Sequence, residues 1–454
     1  MHLLRQLGPA LVVAVVGCMP TLDRQPPCDD RGPGRERGDL FFIRDGDGPV
    51  GDGVPPGCNP TSCPLGCNDI ARRCYRLKPS NFDPTSFFDS LTGDLAPSAD
   101  LTFDTDSGEI KQGASVIRAA GGQGSAVGGF YWDVVSQGAG LPEIAVFGAA
   151  SLDLATGVTA TVAGQRAFAL YLTKAATIAG TLVGAATGKT GGAGGFAGGE
   201  KNGATGASCS GGEGKGGGPG GGATDGDGGG GGGGFKAAGG AGADSDYGSD
   251  PKGGAGGAAS SDETLVPLRG GCGGGAGGGP STVGSFSGDG GYGGGGGGAI
   301  QIAVNGKLLV SGVINVPGAG GEGGHNGTAG GGGGSGGAML LEGSSVEIAG
   351  TLAANGGGGG SGSKIYTEDA APSGQDGQPS AQPAKGGPVN PTFGGAGGNG
   401  GAGATEAGAS APTEANAGGG GGAVGRIRIN APTLDHASGT LSPAHSSSST
   451  VGKW

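Results

Sequence analysis

The chain has 454 residues, of which 121 are Gly and 27 Pro, with 34% hydrophobic and only 5% aromatic residues. So little apolar material cannot fill one core proportionate to this length, which argues against an ordinary globular enzyme and for a repetitive architecture. The missing Gly-X-Y period excludes collagen, and a formal charge of −12 with scattered Lys and Arg argues against nucleic acid as a partner.

In chain order, Arg5 and the apolar run 9–17 (PALVVAVVG) read as a signal peptide over residues 1–17. The run is far short of the roughly 20 residues needed to span a bilayer. Its end, Val15-Val16-Gly17-Cys18, resembles a bacterial lipobox. That resemblance implies acylation of Cys18 and a partner membrane reached through a lipid (palmitate-type) anchor; the alternative is a plain cleaved signal with Cys18 in a disulfide. Residues 18–57 are rich in Pro, Asp and Gly and are expected to be a flexible tether.

Residues 58–81 are expected to form a small disulfide module. Cys58, Cys63, Cys67 and Cys74 fall within seventeen residues of an exported chain. Zinc is the weaker reading, because no C-x-x-C pair or intervening His is present. Connectivity stays open, and Cys28 is left over. Cys209 and Cys272 stand alone in glycine-rich sequence; pairing them would remove roughly 4 kcal/mol of unfolded-chain entropy.

Residues 82–182 carry Phe82, Phe87, Phe103, Phe130 and Trp132, with alternation at 151–154 and 158–162 that predicts strands. A recurring Ile/Val-x-Gly-x-Leu/Ile pattern then appears, anchored on Gly180, Gly312, Gly350 and Gly439. Twelve residues before these anchors stand Phe168, Ile300, Ala338 and Ile427; ten before stand Leu170, Ile302, Leu340 and Ile429. Two before come Ile178, Val310, Ile348 and Ala437, and two after come Leu182, Ile314, Leu352 and Leu441. All are expected to face one core from paired strands. The expected fold is therefore mainly β: an irregular β-solenoid or stack of strand-pair repeats behind the disulfide module. Repeat units lie in 82–182, 298–354 and 423–454, and glycine-rich insertions in 183–297 and 355–422. The insertions are either disordered or packed as extended polyglycine II helices bonded chain to chain.

The runs 293–302 (GGGGGGAIQI), 331–341 (GGGGSGGAMLL) and 418–430 (GGGGGAVGRIRIN), with the 58–74 module and Pro79-Ser80-Asn81, resemble the glycine-rich, PGRS-like surface lipoproteins of myxobacteria. The resemblance implies an exported, lipid-anchored protein of a Gram-negative outer membrane or cell surface, and supplies no activity.

Motifs for catalysis fail one by one. Thr187-Gly188-Lys189-Thr190 lacks the earlier P-loop glycine, since Val183 occupies it. The stretch 239–247 departs from a calcium nonapeptide at Asp246, and the Asp45/Asp47, Asp104/Asp106 and Asp225/Asp227 pairs lack EF-hand spacing. His325, His436 and His445 have no nucleophile motif. The positions expected to face outward are Ala167, Ala169, Ala299, Gln301, Gly337, Met339, Arg426 and Arg428, where a polysaccharide-cleaving solenoid would display acid and base groups. Only the two Arg are ionisable, as in a solvated terminal layer; the small residues suggest that the glycine tracts cover this face. The expected function is a non-catalytic, lipid-anchored envelope protein with a structural or adhesive role and polysaccharide as a partner. No cofactor, metal or catalytic residue is expected. A carbohydrate-active β-helix and a calcium-dependent surface protein are the alternatives.

Overall fold

The computed structural model describes residues 63–219 except 69 and 72, then 227–246, 251–279, 281–283, 286–363, 370–389, 394–413 and 416–454. The signal segment, Cys18, the tether, Cys28, Asp45, Asp47, Cys58, Asp225 and Tyr247 lie outside the described residues.

The fold is mainly β, and a small disulfide-bonded region precedes two large curled sheets. The first runs in the order Ser446–Ser448, Arg426–Asn430, Ala338–Ile348, Ala299–Val310, Ala167–Leu172, Ile144–Ala149, Phe130–Val135, Ser125–Val127. The second runs Thr440–Ser442, Thr351–Ala353, Val313–Asn315, Thr181–Val183, Thr159–Ala163, Leu101–Asp104, Ile110–Gln112, Ser115–Arg118. Within these two sheets the strands from Ile144 onward pair with one another in parallel, whereas antiparallel strands end both sheets on the N-terminal side.

Parallel, in-register pairing lines like residues up in columns. Phe147, Leu170, Ile302, Leu341 and Ile429 are successive partners, as are Ala160, Leu182, Ile314, Leu352 and Leu441. These columns meet in one core shared by both sheets. Each layer alone is too thin to bury its apolar face, and stacking supplies the missing wall. Gly180, Gly312 and Gly350 lie directly over one another: an added Cβ on Gly312 would overlap the Gly180 carbonyl, and one on Gly350 that of Gly312, while one on Gly439 would press on Ile348. None of the four has a left-handed φ. Close approach between layers, and not turn geometry, requires glycine there.

Three expectations are corrected. First, Met339 and Leu341 face the core opposite Ile300 and Ile302, while Ala338 and Leu340 lie on the outer face. A bulge between Val304 and Lys307 leaves the third layer one residue shorter, so counting back from Gly350 slips by one and exchanges the faces. Second, Ala437 is exposed; Leu434, the partner of Val346, packs on the core instead, because the last layer has an additional residue before Gly439. Third, a full layer precedes the first anchor: Ile144–Ala149, Ser151–Leu154 and Thr159–Ala163 pair in parallel with the strands of the Gly180 layer. Its corner is a longer turn through Gly157, so the anchor pattern does not reveal it.

The outer face of the first sheet is covered from two directions. Phe235, Leu265, Leu268, Cys209 and Cys272 pack with Ala167, Ala169, Ala299 and Leu340. On the other part, Phe82, Phe87 and Phe88 ring Tyr171 with centroids 6.2, 6.0 and 6.0 Å away. Tyr171 also donates to the Leu77 carbonyl at 3.2 Å, and burial raises its pKa.

The described glycine tracts are hydrogen-bonded throughout. Along 331–337 the amides turn through three directions: Gly331, Gly334 and Gly337 donate to Glu322, Ala319 and Val316; Gly332 and Ser335 to Gly275 and Cys272; Gly333 and Gly336 to Gly420 and Ala423. Carbonyls of the same segment accept from Gly294, Gly233 and Gly357. Bonds therefore leave on every side, at three residues per turn, with none inside the segment. An added Cβ on Gly332 would overlap the Gly231 carbonyl, so a side chain has no room.

Candidate functional site

On the rim of the glycine bundle the three-residue rotation directs every third side chain outward. Asp289 and Tyr292, Glu322 and His325, and Ser373 and Asp376 are such pairs on three rim segments. One or both members of each pair, Tyr292, Glu322, Ser373 and Asp376, join the turn at Gly188 and Lys189 in lining a cleft of about 270 Å³.

Backbone amides fix its carboxylates. Glu322 Oε2 accepts the Tyr292 amide at 3.1 Å, and Asp376 Oδ1 accepts the Gly320 amide at 2.8 Å. His325 Nε2 lies 3.2 Å from Glu322 Oε1. Lys189 and Lys201 hold their ammonium groups 5.0 Å from the Tyr292 ring centroid, within cation–π range. Each is also paired: Lys189 with Glu200 and Lys201 with Asp289, both at 2.8 Å. The Glu200 carboxylate raises the pKa of Lys189, and Lys201, followed by Asn202, lowers that of Asp289. Neither Glu322 nor Asp376 has a Lys or Arg ion-pair partner among the described residues. The cleft thus offers fixed acceptors, an ammonium and a hydroxyl donor, and an aromatic edge.

A second cleft of about 330 Å³, bounded by Ser80, Asn81, Gln137 and Pro267, sits over a buried polar chain. Asn81 donates to Gln301 Oε1 at 3.1 Å, and Gln301 donates to Glu342 Oε2 at 2.6 Å. Glu342, only 1% exposed, also accepts the Ser80 hydroxyl at 2.5 Å and Asn430 Nδ2 at 3.3 Å. Three neighbouring strands are thereby tied to the segment after the disulfide module. With its oxygens occupied by structural donors, this carboxylate serves as a fastening.

Among the sequence-expected residues, Cys63 bonds Cys74 and Cys209 bonds Cys272. Cys67 is disulfide-bonded as well. Arg426 and Arg428 are not a freely solvated pair: Arg426 Nε donates to Ser261 Oγ at 2.8 Å, Arg428 Nε to Asn430 Oδ1 at 2.8 Å, and the loop around Glu263 covers them. Thr187 and Thr190 bridge each other in a tight turn, with no helix to receive a phosphate. Asp244 is paired with Lys252 at 2.9 Å, and His436 packs edge-on to His445. Asp104 accepts the Asp106 amide within a turn. No group of three or more potential metal ligands occurs among the described residues, and no helix there is long and apolar enough to cross a membrane.

The Tyr292 cleft escapes motif reading because its residues are scattered over 188–376. Its one sequence signal is polar residues three apart inside glycine runs, as in Asp289/Tyr292 and Glu322/His325. No protein-family model, curated protein or solved structure matches this chain.

Proposed function

We propose that this chain is a non-catalytic, lipid-anchored envelope protein of a Gram-negative bacterium, akin to the glycine-rich surface lipoproteins it resembles, with a structural or adhesive role towards polysaccharide. In this reading the body is a short β-solenoid whose layers extrude polyglycine II helices. The observation that carries the reading is the hydrogen-bond rotation along 331–337, which joins one glycine segment to others on every side. A left-handed extended helix of three residues per turn has no internal bonds and must find partners laterally. Such a lattice is stiff without a large apolar core, which suits a chain that is 34% hydrophobic. Disulfides at Cys63–Cys74 and Cys209–Cys272 fit an oxidising compartment.

The anchoring part is tested by fractionating cells that express the full chain. The native sequence is expected in the membrane fraction and the Cys18→Ala variant in the soluble exported fraction. Membrane retention of the variant overturns lipidation at Cys18.

A further inference from the structure

We infer that the Tyr292 cleft is a binding subsite for a neutral saccharide, an inference that rests on the adhesive reading above and gives it a location. The charge pattern on the walls selects the class. An anionic ligand would meet Glu322 and Asp376, which lack Lys or Arg partners among the described residues, while the Lys189 ammonium, already paired with Glu200, leaves it no free positive charge. A ring bearing vicinal hydroxyls suits both walls, because each hydroxyl donates one hydrogen bond and accepts others. Glu322 and Asp376 supply acceptors; Lys189 and the Ser373 hydroxyl supply donors.

The acceptors are fixed in advance. One oxygen of each carboxylate is held by a backbone amide of the glycine bundle, at 3.1 Å for Glu322 and 2.8 Å for Asp376, so little ordering remains for a ligand to impose. Tyr292, whose ring lies under the Lys189 and Lys201 ammonium groups, contributes an aromatic edge against which a sugar C–H can pack. It is also the one aromatic side chain within the run 290–298, whose other residues are all Gly. A residue that only filled the lattice would be Gly there, since the backbone bonds at this position do not need the ring. The cleft volume of about 270 Å³ accommodates one monosaccharide unit and leaves the chain of a longer glycan to run along the rim.

The test uses the full chain in detergent, with neutral gluco- and galacto-oligosaccharides as probes and spermidine and oligogalacturonate as charged controls. Saturation-transfer NMR and calorimetry would read binding for the native chain, Tyr292→Ala, Glu322→Gln and Asp376→Asn. Binding of at least one neutral probe is expected, with affinity falling about tenfold or more in each variant while the melting temperature stays unchanged. Three outcomes overturn the site: no neutral probe binds, a charged control binds in preference, or the variants bind as the native chain does. In the last case the adhesive reading survives and the saccharide lies elsewhere. Membrane fractionation of Cys18→Ala stands or falls independently of all three.

Discussion

Glu213 illustrates how single side chains fasten the glycine-rich part. Burial by itself disfavours its charge, but the Cys209 amide, Lys215 and its own backbone amide outweigh that and hold its pKa at about 2. Its Oε2 accepts the Cys209 and Gly211 amides at 3.0 Å each, next to the Cys209–Cys272 disulfide. A carboxylate with a depressed folded pKa stabilises fully above its unfolded value of 4.5, and that contribution is lost as pH falls towards about 2. Thermal melts should therefore show stability declining across that window, with a shallower decline in Glu213→Gln. Equal slopes would contradict the assignment. Arg118 is a second such fastening: fully buried, it donates to the carbonyls of Gly108, Ala119, Gly122 and Phe130 at 2.7, 3.0, 3.2 and 3.3 Å. Its Gly108 and Phe130 partners converge only when two hairpins fold together, so the sequence neighbourhood does not signal them.

Among the elements, spacing to the anchor glycines correctly placed the core residues in the layers of Gly180 and Gly312 and failed where a residue is gained or lost. The bulge at Asn305 and Gly306 is invisible in a count taken backwards from Gly350, yet it decides which face Met339 presents. Substitution distinguishes the two registers. Met339→Lys should lower unfolding free energy by about 3 kcal/mol or more, because it places an unpaired charge in the core. Ala437→Lys, at an exposed position, should change it by less than about 0.5 kcal/mol. Urea denaturation of both variants checks this, and a mild effect at Met339 would restore the register counted from Gly350. The anchor spacing does not reveal the layer that starts at Ile144, for a related reason. Its columns match the later layers, but its corner needs no close-packed glycine.

At the scale of the whole molecule, two kinds of order share one body. Apolar columns hold the sheets, and lateral backbone bonds hold the glycine segments, with a few buried side chains such as Phe235, Leu265 and Leu268 joining the two. Segment 328–337 belongs to both, since it lies within the bundle and runs directly into the strand Ala338–Ile348. Its amides are therefore expected to exchange with solvent as slowly as those of 299–304. Gly332→Ala should accelerate exchange across the neighbouring glycine segments by forcing them apart, and hydrogen-exchange mass spectrometry would register both effects. Fast exchange in the native chain would mean that the bundle is not held as described. The latch through Glu342 is equally global: Ser80, Gln301 and Asn430 come from three distant parts of the chain to meet one carboxylate.

The sequence by itself determined a mainly β body with periodic apolar positions and cysteines suited to disulfides. Those properties follow from local periodicity and composition, which a linear reading can measure. Tertiary structure decided the register of the third layer, the covering of Arg426 and Arg428, and the order of the described glycine tracts. Each depends on contacts between segments far apart in the chain. Glycine, having no side chain, records none of its partners in the sequence. For the same reason the Tyr292 cleft became visible only when three glycine segments lay side by side and their scattered polar residues came to share one rim.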